Sequence, residues 1–338
     1  MRKILYGLIY ILIAIIVLIT FIYIAFNFPV GSGKESTAKL GMTYSYRYAE
    51  ALGLDPRVTL TAQLEELGIT LWRIPVYWDL VEPEPGQTDY SFVDWQLDEI
   101  EKYNGKTILS IGNRVPRWPE CHTPGWAKED ETVREAALLV HLERTVNRYK
   151  DRASITTWQV ENEPFLSQFG ECPPLRKEFL DQEIALVKSL DARPVLVTDS
   201  GELSLWVRAA KRGDVFGTTL YRHIYTHNFG GRYITYPVGP SFFHLKTLLV
   251  KLFTDQENFM VIELQAEPWA PGWLLEFPLD EQFKTMDETK LRENVEYAKQ
   301  LGFPTIYLWG GEWWYYLKEK KDYPGLWQAG KQIFQENE

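Results

Sequence analysis

The sequence predicts an α/β protein whose core is a (β/α)₈ TIM barrel, preceded by a single N-terminal transmembrane helix. Three observations support this fold class. Short apolar runs alternate with longer amphipathic runs across most of the 338 residues, which indicates βαβ units and a parallel sheet. Eight apolar runs are present, the number that a closed barrel requires. An uncharged apolar run, Ile4 to Phe26, lies outside this alternation.

The N-terminal run is long enough to cross a membrane. As a helix it spans about 34 Å, against a bilayer core of roughly 30 Å. Arg2 and Lys3 precede it, and positive charge on the short N-terminal side favours an N-in topology with the domain outside the cytoplasmic membrane. A cleaved signal peptide and a secreted domain are the alternative, although Phe26 to Val30 lacks a small-residue cleavage site.

The rest of the chain divides simply. The small, polar stretch Gly31 to Lys39 is typical of a flexible linker. We therefore expect a membrane anchor over residues 1–30, a linker over 31–39 and one barrel domain over 40–338. A doubly wound open sheet is the alternative fold. It would require a glycine-rich phosphate turn after the first strand, and Gly41 to Tyr44 is not one.

The predicted elements follow in chain order. The strands are Lys39–Met42, Ile69–Val76, Thr107–Ile111, Ile155–Val160, Val195–Thr198, Val215–Leu220, Phe259–Ile262 and Thr305–Leu308. The helices are Thr59–Leu67, Phe92–Tyr103, Glu131–Tyr149, Arg176–Leu190, Phe242–Phe253, Glu288–Leu301 and Gly325–Phe334. The segment between the sixth and seventh strands is unusually long, and its helix is amphipathic, suited to the membrane side or the barrel side.

Composition narrows the function. The formal charge of −10 argues against a nucleic-acid partner, which a basic face would attract. The five His are not at metal-ligand spacing, and the sequence contains neither a phosphate-binding glycine loop nor a Gly-x-Ser-x-Gly elbow. We therefore expect no metal and no cofactor. The 13 Trp, 19 Tyr and 17 Phe suit ring faces lining a cleft, although core packing accounts for most of them.

Two carboxyl groups lie where a barrel keeps its chemistry. Glu163, in Trp158-Gln-Val-Glu-Asn-Glu-Pro164, follows the fourth strand, and Glu263 ends the seventh. Glycosidic bonds are broken by such a pair, one carboxyl being the acid/base and the other the nucleophile or a second base. A single strand-end Glu is more often a solvated carboxylate or a helix-cap partner. Glu267 and Glu312 are rival carboxylates that we place in loops.

Other motifs accompany this pair. They are Trp72-Arg-Ile-Pro-Val-Tyr-Trp78 at the second strand, Ile111-Gly-Asn-Arg-Val-Pro-Arg-Trp118 at the third, and Leu308-Trp309 at the eighth. With them, the chain resembles the clan A glycoside hydrolases, which are retaining (β/α)₈ enzymes. The second-strand motif is similar to the cellulase-like branch and the third-strand motif to the β-galactosidase-like branch. The resemblance covers essentially the whole domain.

The resemblance implies roles for individual residues. It makes Glu163 the acid/base, Glu263 the nucleophile, and Arg73 the group that keeps Glu263 ionised. The other implied substrate-binding or supporting residues are Asn162 on the sugar 2-hydroxyl, Tyr221 beside Glu263, Trp309 under the −1 sugar, and Trp118 and Asn113 after the third strand. Two departures remain open: Asn113 and Arg114 replace a His of the cellulase-like branch, and His223 with Tyr225 is an alternative register for Tyr221.

The two cysteines fall on one face of the predicted barrel. Cys121 lies in the loop after the third strand and Cys172 in the loop after the fourth, so an oxidising compartment would favour a disulfide at the rim. Free thiols are the alternative. Six tryptophans fall in or near loops of the same face, where some are candidates to stack on sugars: Trp118, Trp126, Trp269, Trp273, Trp313 and Trp314.

Together these expectations describe a membrane-anchored retaining glycosidase outside the cytoplasmic membrane, acting on a β-linked oligosaccharide or polysaccharide. Its partners would be the carbohydrate and, through the N-terminal helix, the membrane. An envelope transglycosylase with the same two Glu, or a non-catalytic carbohydrate-binding barrel, are the alternatives. The sugar depends on loop shape and is not predicted.

Overall fold

The computed structural model describes residues 2–27 and 37–337. Residues 28–30 of the expected anchor and 31–36 of the expected linker lie outside this part of the chain. Helix α1, Arg2–Asn27, contains a 20-residue stretch, Leu8–Asn27, with a mean hydropathy of 3.0. By length and composition, α1 therefore suits either a membrane span or a signal sequence.

Eight parallel strands close into a barrel, which confirms the predicted fold class. In chain order the barrel strands are β1 (Lys39–Thr43), β2 (Leu71–Pro75), β3 (Lys106–Ile111), β4 (Ile155–Val160), β5 (Val195–Asp199), β6 (Val215–Leu220), β9 (Phe259–Gln265) and β10 (Thr305–Trp309). Their order around the barrel is β1-β10-β9-β6-β5-β4-β3-β2, and β1 pairs with β2 to close it. An antiparallel hairpin, β7 (His223–Thr226) with β8 (Arg232–Thr235), follows β6.

Helices flank the strands. They are α2 (Tyr46–Ala51), α3 (Pro56–Leu67), α4 (Trp78–Val81), α5 (Ser91–Lys102), α6 (Glu131–Tyr149), α7 (Lys177–Leu190), α8 (Val207–Ala210), α9 (Pro240–Phe253), α10 (Leu279–Gln282), α11 (Glu288–Lys299), α12 (Gly311–Lys321) and α13 (Gly325–Gln335). Three of the longer ones begin at an aspartate that accepts backbone N–H bonds: α3 at Asp55, α6 at Asp130 and α11 at Asp287.

The pattern of apolar runs located every barrel strand within a few residues. Several elements were not predicted, among them the short helices α2, α4, α8 and α10. The β7–β8 hairpin was not predicted, and Gly311–Lys321, taken as a loop, forms helix α12. The seventh barrel strand, β9, also continues to Gln265, so Glu263 lies within the strand rather than at its end. A strand predicted from an apolar run ends at the last apolar residue, whereas the hydrogen bonds between the strands continue through the polar residues that follow.

A buried apolar cluster lies inside the barrel, below the polar residues at the carboxyl ends of the strands, which we call the barrel mouth. Ile108, Leu196, Ile262 and Tyr307 come from four different strands and form a buried cluster. Arg73 is the register partner of Ile108, and its guanidinium crosses the barrel interior to side chains of β4 and β9. Carboxylates in this layer are therefore held away from water on one side, which is the condition for shifted pKa values.

Candidate active site

Arg73 organises the centre of the barrel mouth. Its guanidinium is fully buried and donates from Nη1 to Glu263 Oε1 at 2.7 Å. Nε donates to Gln159 Oε1 at 2.7 Å, and Nη2 donates to Asn162 Oδ1 at 2.7 Å. Each nitrogen of Arg73 thus has one acceptor. A buried cation with an acceptor on each nitrogen fixes the positions of its neighbours, Glu263 among them.

Asn162 connects the ends of β4 and β5 to this cation. Its Oδ1 also accepts from Gln159 Nε2 and from Thr198 Oγ1, both at 3.2 Å. With the carbonyl oxygen saturated by these donors, the amide nitrogen is oriented outward. That nitrogen donates to Glu120 Oε2 at 3.2 Å. The side chain of Asn162 is therefore held in one orientation by its neighbours.

Glu163 follows β4 on strained backbone. Its φ of 44° is in the left-handed region, which residues other than glycine seldom adopt, and its N–H donates to Thr198 Oγ1 at 2.8 Å. Its Oε1 accepts from Thr219 Oγ1 at 3.2 Å. Burial raises the pKa of Glu163 well above its usual range, and the negative charges of Glu263 and Glu120 raise it further. These surroundings favour the protonated form of the Glu163 carboxyl.

Tyr221 is the tyrosine that meets the second carboxylate. Its hydroxyl donates to Glu263 Oε2 at 3.2 Å, and burial beside Glu263 raises the pKa of Tyr221 well above its usual range. The alternative residue, Tyr225, lies on β7 and packs against Tyr233 of the hairpin. His223 bonds to Thr235 in the same hairpin. The contact with Glu263 therefore belongs to Tyr221.

A third carboxyl, Glu120, lies beside the pair and was not anticipated from the sequence. It is almost fully buried, accepts from Asn162, and lies 4.0 Å from Arg114 Nε. Burial raises the pKa of Glu120 to about 7, with a further contribution from the charge of Glu263. Glu120 is in an irregular loop, and neither strand periodicity nor a motif marks it.

A second arginine cluster surrounds Trp309. The Arg117 guanidinium lies between two rings, 3.7 Å from the centroid of Tyr48 and 4.1 Å from that of Trp309. Arg117 also pairs with Glu267, and its Nη2 lies 3.5 Å from Glu312 Oε2. Trp309 Nε1 donates to Glu267 Oε1 at 2.8 Å. The ring expected beneath a sugar is therefore covered by Arg117 on one face.

The rival carboxylates belong to this second cluster. Glu267 lies in the segment after β9, and Glu312 lies in the first turn of α12 rather than in a loop. Burial raises the pKa of Glu312 to about 7, while Arg117 opposes that shift. In the part of the chain that the structure describes, neither carboxylate is hydrogen-bonded to Arg73, Asn162 or Glu163, so they form a separate group at the mouth.

The tryptophans expected on the catalytic face divide into two sets. Trp313 and Trp314 lie on α12 and are fully buried, with their indole N–H groups donating to Gln282 Oε1 and to the Ala266 carbonyl oxygen. They are part of the core, the role expected for most of the aromatic residues, and are therefore not available to stack on sugars. Trp118, in contrast, is 58% exposed and packs edge-on against Phe169.

Asn113 is engaged by its own loop. Its Oδ1 accepts from Thr123 Oγ1 at 2.6 Å, and its backbone N–H donates to Glu161 Oε1 at 2.6 Å. Glu161 is buried beside Glu183, and burial raises the pKa of Glu161 to about 7. Among the described residues, no hydrogen bond joins the Asn113 side chain to Glu163 or Glu263. These bonds indicate that Asn113 stabilises the loop that follows β3.

A disulfide joins Cys121 to Cys172, with 5.2 Å between their Cα atoms, as the sequence predicted. It connects the loop after β3 to the loop after β4. Cys121 is adjacent to Glu120 and close in sequence to Arg117 and Trp118, so the bond restrains the segment that supplies three groups to the mouth.

The arrangement places two buried carboxyl groups, Glu163 and Glu263, in different surroundings at the barrel mouth. Burial and the nearby negative charges raise the pKa of Glu163, whereas the Glu263 carboxyl accepts hydrogen bonds from Arg73 and Tyr221. Across residues 2–27 and 37–337, no cluster of three His, Cys, Asp or Glu has the geometry of a metal site. The chemistry available at this centre is acid–base and nucleophilic.

Solved structures share this fold. Similar chains include the β-galactosidase of the Antarctic haloarchaeon Halorubrum lacusprofundi (14% identity, TM-score 0.54, 80% of this chain and 52% of that chain covered). The β-galactosidase of the psychrophilic Marinomonas ef1 is also similar, with 14% identity and a TM-score of 0.55 over 88% of this chain and 59% of that chain. Xylanase 10B of Thermotoga petrophila RKU-1 in complex with xylobiose has 14% identity and a TM-score of 0.52 over 81% of this chain and 82% of that chain.

This chain thus spans little more than half the length of those two β-galactosidases. At 14% identity, the likeness shows a common fold. No protein-family model and no curated protein matches the sequence.

Proposed function

We propose that the chain is a retaining glycoside hydrolase that cleaves a β-linked oligosaccharide or polysaccharide by double displacement. The observation that carries the proposal is the pair of environments around Glu163 and Glu263. One carboxyl has a raised pKa, and the other is ion-paired to Arg73 at 2.7 Å. Two carboxyls whose environments separate their protonation states are what a retaining mechanism requires. The fold shared with β-galactosidases and xylanases supports the same conclusion.

In the first step, Glu163 would donate its proton to the glycosidic oxygen while the Glu263 carboxylate attacks the anomeric carbon. The bond to the leaving sugar breaks, and a covalent glycosyl-enzyme forms. In the second step, Glu163, now ionised, would take a proton from water as the water attacks the same carbon and releases Glu263. Asn162, held by Arg73, is placed to bond the sugar 2-hydroxyl.

We propose further that α1 anchors the enzyme in the membrane. Arg2 and Lys3 precede the apolar stretch, which favours N-in topology and an extracytoplasmic barrel. Removal of α1 as a signal sequence is the competing outcome. The mass of the protein recovered from membranes distinguishes the two, because a cleaved chain would lack residues 1–30.

The proposal is tested by screening the full chain in detergent against β-linked galactans, xylans and glucans. Glu263→Gln and Glu163→Gln should each lower kcat on a natural glycan by at least about 10³-fold. Glu276→Gln, the same change at an exposed carboxylate, is the matched control and should leave kcat unchanged. Turnover that survives both catalytic substitutions would overturn the mechanism.

A second experiment examines the roles separately. NMR of the first-formed product should show retention of the β-anomer. In Glu163→Ala, azide should restore turnover of a substrate with an activated leaving group, since azide needs no general base. A transglycosylase would yield longer products with the same two Glu, and a binding-only barrel would retain glycans without turning them over.

A further inference from the structure

Helix α9 has an unusual distribution of apolar side chains. Leu245, Leu248 and Leu252 recur at spacings of three and four residues, so they share one side of the helix, and Phe253 lies at its end. They are exposed by 37%, 58%, 74% and 65%. A surface helix normally turns its apolar side inward and its polar side to water. α9 buries one apolar side against the barrel and exposes a second one.

The apolar surface continues onto the loop that follows β5. Lys246 of α9 donates to the Gly201 carbonyl oxygen, so helix and loop are in contact. The loop exposes Leu203 and Leu205, the latter by 71%. Among the large apolar residues described between 37 and 337, the three most exposed are Leu252, Leu205 and Phe253. Exposed apolar area is thus concentrated on these two segments, which marks an interaction surface.

This surface begins where α1 ends. The Gly239 N–H donates to the Phe26 carbonyl oxygen at 3.2 Å, and Asn27 Nδ2 donates to the Pro237 carbonyl oxygen at 3.2 Å. The Phe26 and Phe242 rings meet edge-on, 5.1 Å apart. The residues just before and at the start of α9 therefore lie against the last turn of the candidate membrane span. If α1 crosses the bilayer, α9 starts at its surface.

The charge of α9 points to the same partner. In a chain with a formal charge of −10, the segment Pro240–Phe253 contains two Lys, one His and no Asp or Glu. Lys251, beside the exposed leucines, is paired with Glu257 just beyond the helix. A helix without acidic groups and with an exposed apolar side suits the boundary between lipid headgroups and acyl chains.

We propose that α9 and the loop containing Leu203 and Leu205 lie on the bilayer surface, with the α9 leucines inserted among the lipids. This inference rests on the proposed anchoring by α1. The loop leaves the carboxyl end of β5, the edge of the barrel at which Glu163 is located. Contact through this surface would hold the catalytic mouth beside the membrane instead of leaving the barrel free to rotate on its linker.

The test uses the full chain in vesicles of phosphatidylcholine and phosphatidylglycerol. Leu248→Cys and Leu252→Cys are each labelled with an environment-sensitive fluorophore, since the two native cysteines are bonded to each other. Val140→Cys on α6, a site with 50% exposure before β4, is the matched control. Lipids brominated in their acyl chains should quench the α9 labels at least about twofold more than the control label.

The outcomes separate this proposal from the others. Equal quenching at positions 252 and 140, in a chain that floats with the vesicles, overturns the surface and leaves the anchor intact. A chain that does not float removes the anchor and the surface together. Hydrogen exchange of unlabelled protein provides a second measurement: α9 amides should exchange more slowly in vesicles than in detergent. Glycosidase turnover plays no part in either readout.

Discussion

Two arginine–carboxylate clusters share the mouth of this barrel, and they differ in how completely they are satisfied. Arg73 comes from β2, and each of its three nitrogens donates to a buried acceptor. Arg117 comes from an irregular loop with a φ of 92°, and its Nε and Nη2 have no hydrogen-bond partner among the described residues. Its carboxylate neighbours, Glu267 and Glu312, each have one oxygen without a hydrogen-bond partner among the described residues.

The difference indicates different tasks. Each nitrogen of Arg73 already donates to a buried side chain, so Arg73 is suited to orient Glu263 and Asn162. The cluster around Arg117 has unsatisfied donors and acceptors at a cleft, and buried polar atoms left unpaired are costly unless a ligand or water meets them. On the proposed function, we infer that the first cluster serves the chemistry and that the second serves sugar recognition. Each prediction below tests that division.

The largest effect is expected for Arg73→Met. It leaves the Glu263 carboxylate buried without its cation, a loss of about 3–5 kcal/mol, and kcat/KM should fall by about 10²- to 10³-fold. Arg73→Lys, which keeps the charge but not the three directed bonds, should lie between this variant and the wild type. Steady-state kinetics on one glycan provide the measurement. If Arg73→Met keeps the wild-type kcat, another residue must position Glu263.

The first cluster was largely predictable from the sequence, and the second was not. Arg73, Glu163 and Glu263 lie on or just after strands, so strand periodicity places them at the same end of a barrel before any contact is known. Glu120 and Arg117 lie in the irregular segment after β3, where no periodicity specifies direction. Their contacts depend on the backbone path of one loop, and that path is a property of the tertiary structure.

The register details were also beyond sequence patterns. β9 continues two residues past Glu263 and ends at Gln265. Gln265 is polar, so the pattern of apolar residues did not include it in the strand. The choice between Tyr221 and Tyr225 depended on a hairpin that begins directly after β6. Short insertions of this kind alter which side chain reaches the centre without altering the fold.

Removal of the disulfide should affect the second cluster and spare the first. Cys121→Ser with Cys172→Ser removes a constraint over a 51-residue separation and should lower the free energy of unfolding by about 2–5 kcal/mol. Denaturant unfolding monitors that change. At temperatures where the variant remains folded, KM should rise while kcat changes by less than about threefold, because the Arg117 segment loosens and Arg73 does not. A fall in kcat alone would contradict the division.

Arg117→Met tests recognition directly. Loss of this cation removes the positive charge paired with Glu267 and Glu312 and uncovers the Trp309 ring, so KM should rise by about tenfold with little change in kcat. Arg47→Met, which removes a partly exposed ion pair with Asp79, is the control and should change either constant by less than about twofold. A loss confined to kcat would place Arg117 in the chemical machinery.

The smallest effect concerns Glu120, which borders both clusters. With a pKa of about 7, it becomes an anion as the pH rises past neutrality, and its charge then helps Glu163 to hold its proton. A raised pKa means that Glu163 is an effective acid below that pKa and loses activity above it. The alkaline limb of kcat should therefore report the Glu163 proton.

Glu120→Gln removes the negative charge while keeping the size of the side chain and an acceptor for Asn162. The Glu163 pKa should then fall, and the alkaline limb of the kcat profile should move toward lower pH, with kcat at its optimum changed by less than about threefold. Glu120→Asp retains the charge and should keep the limb near its original position. If the limb in Glu120→Gln coincides with that of the wild type, Glu120 does not act on the acid. Glu120 would then serve sugar recognition beside Asn162, as Arg117 does in the second cluster.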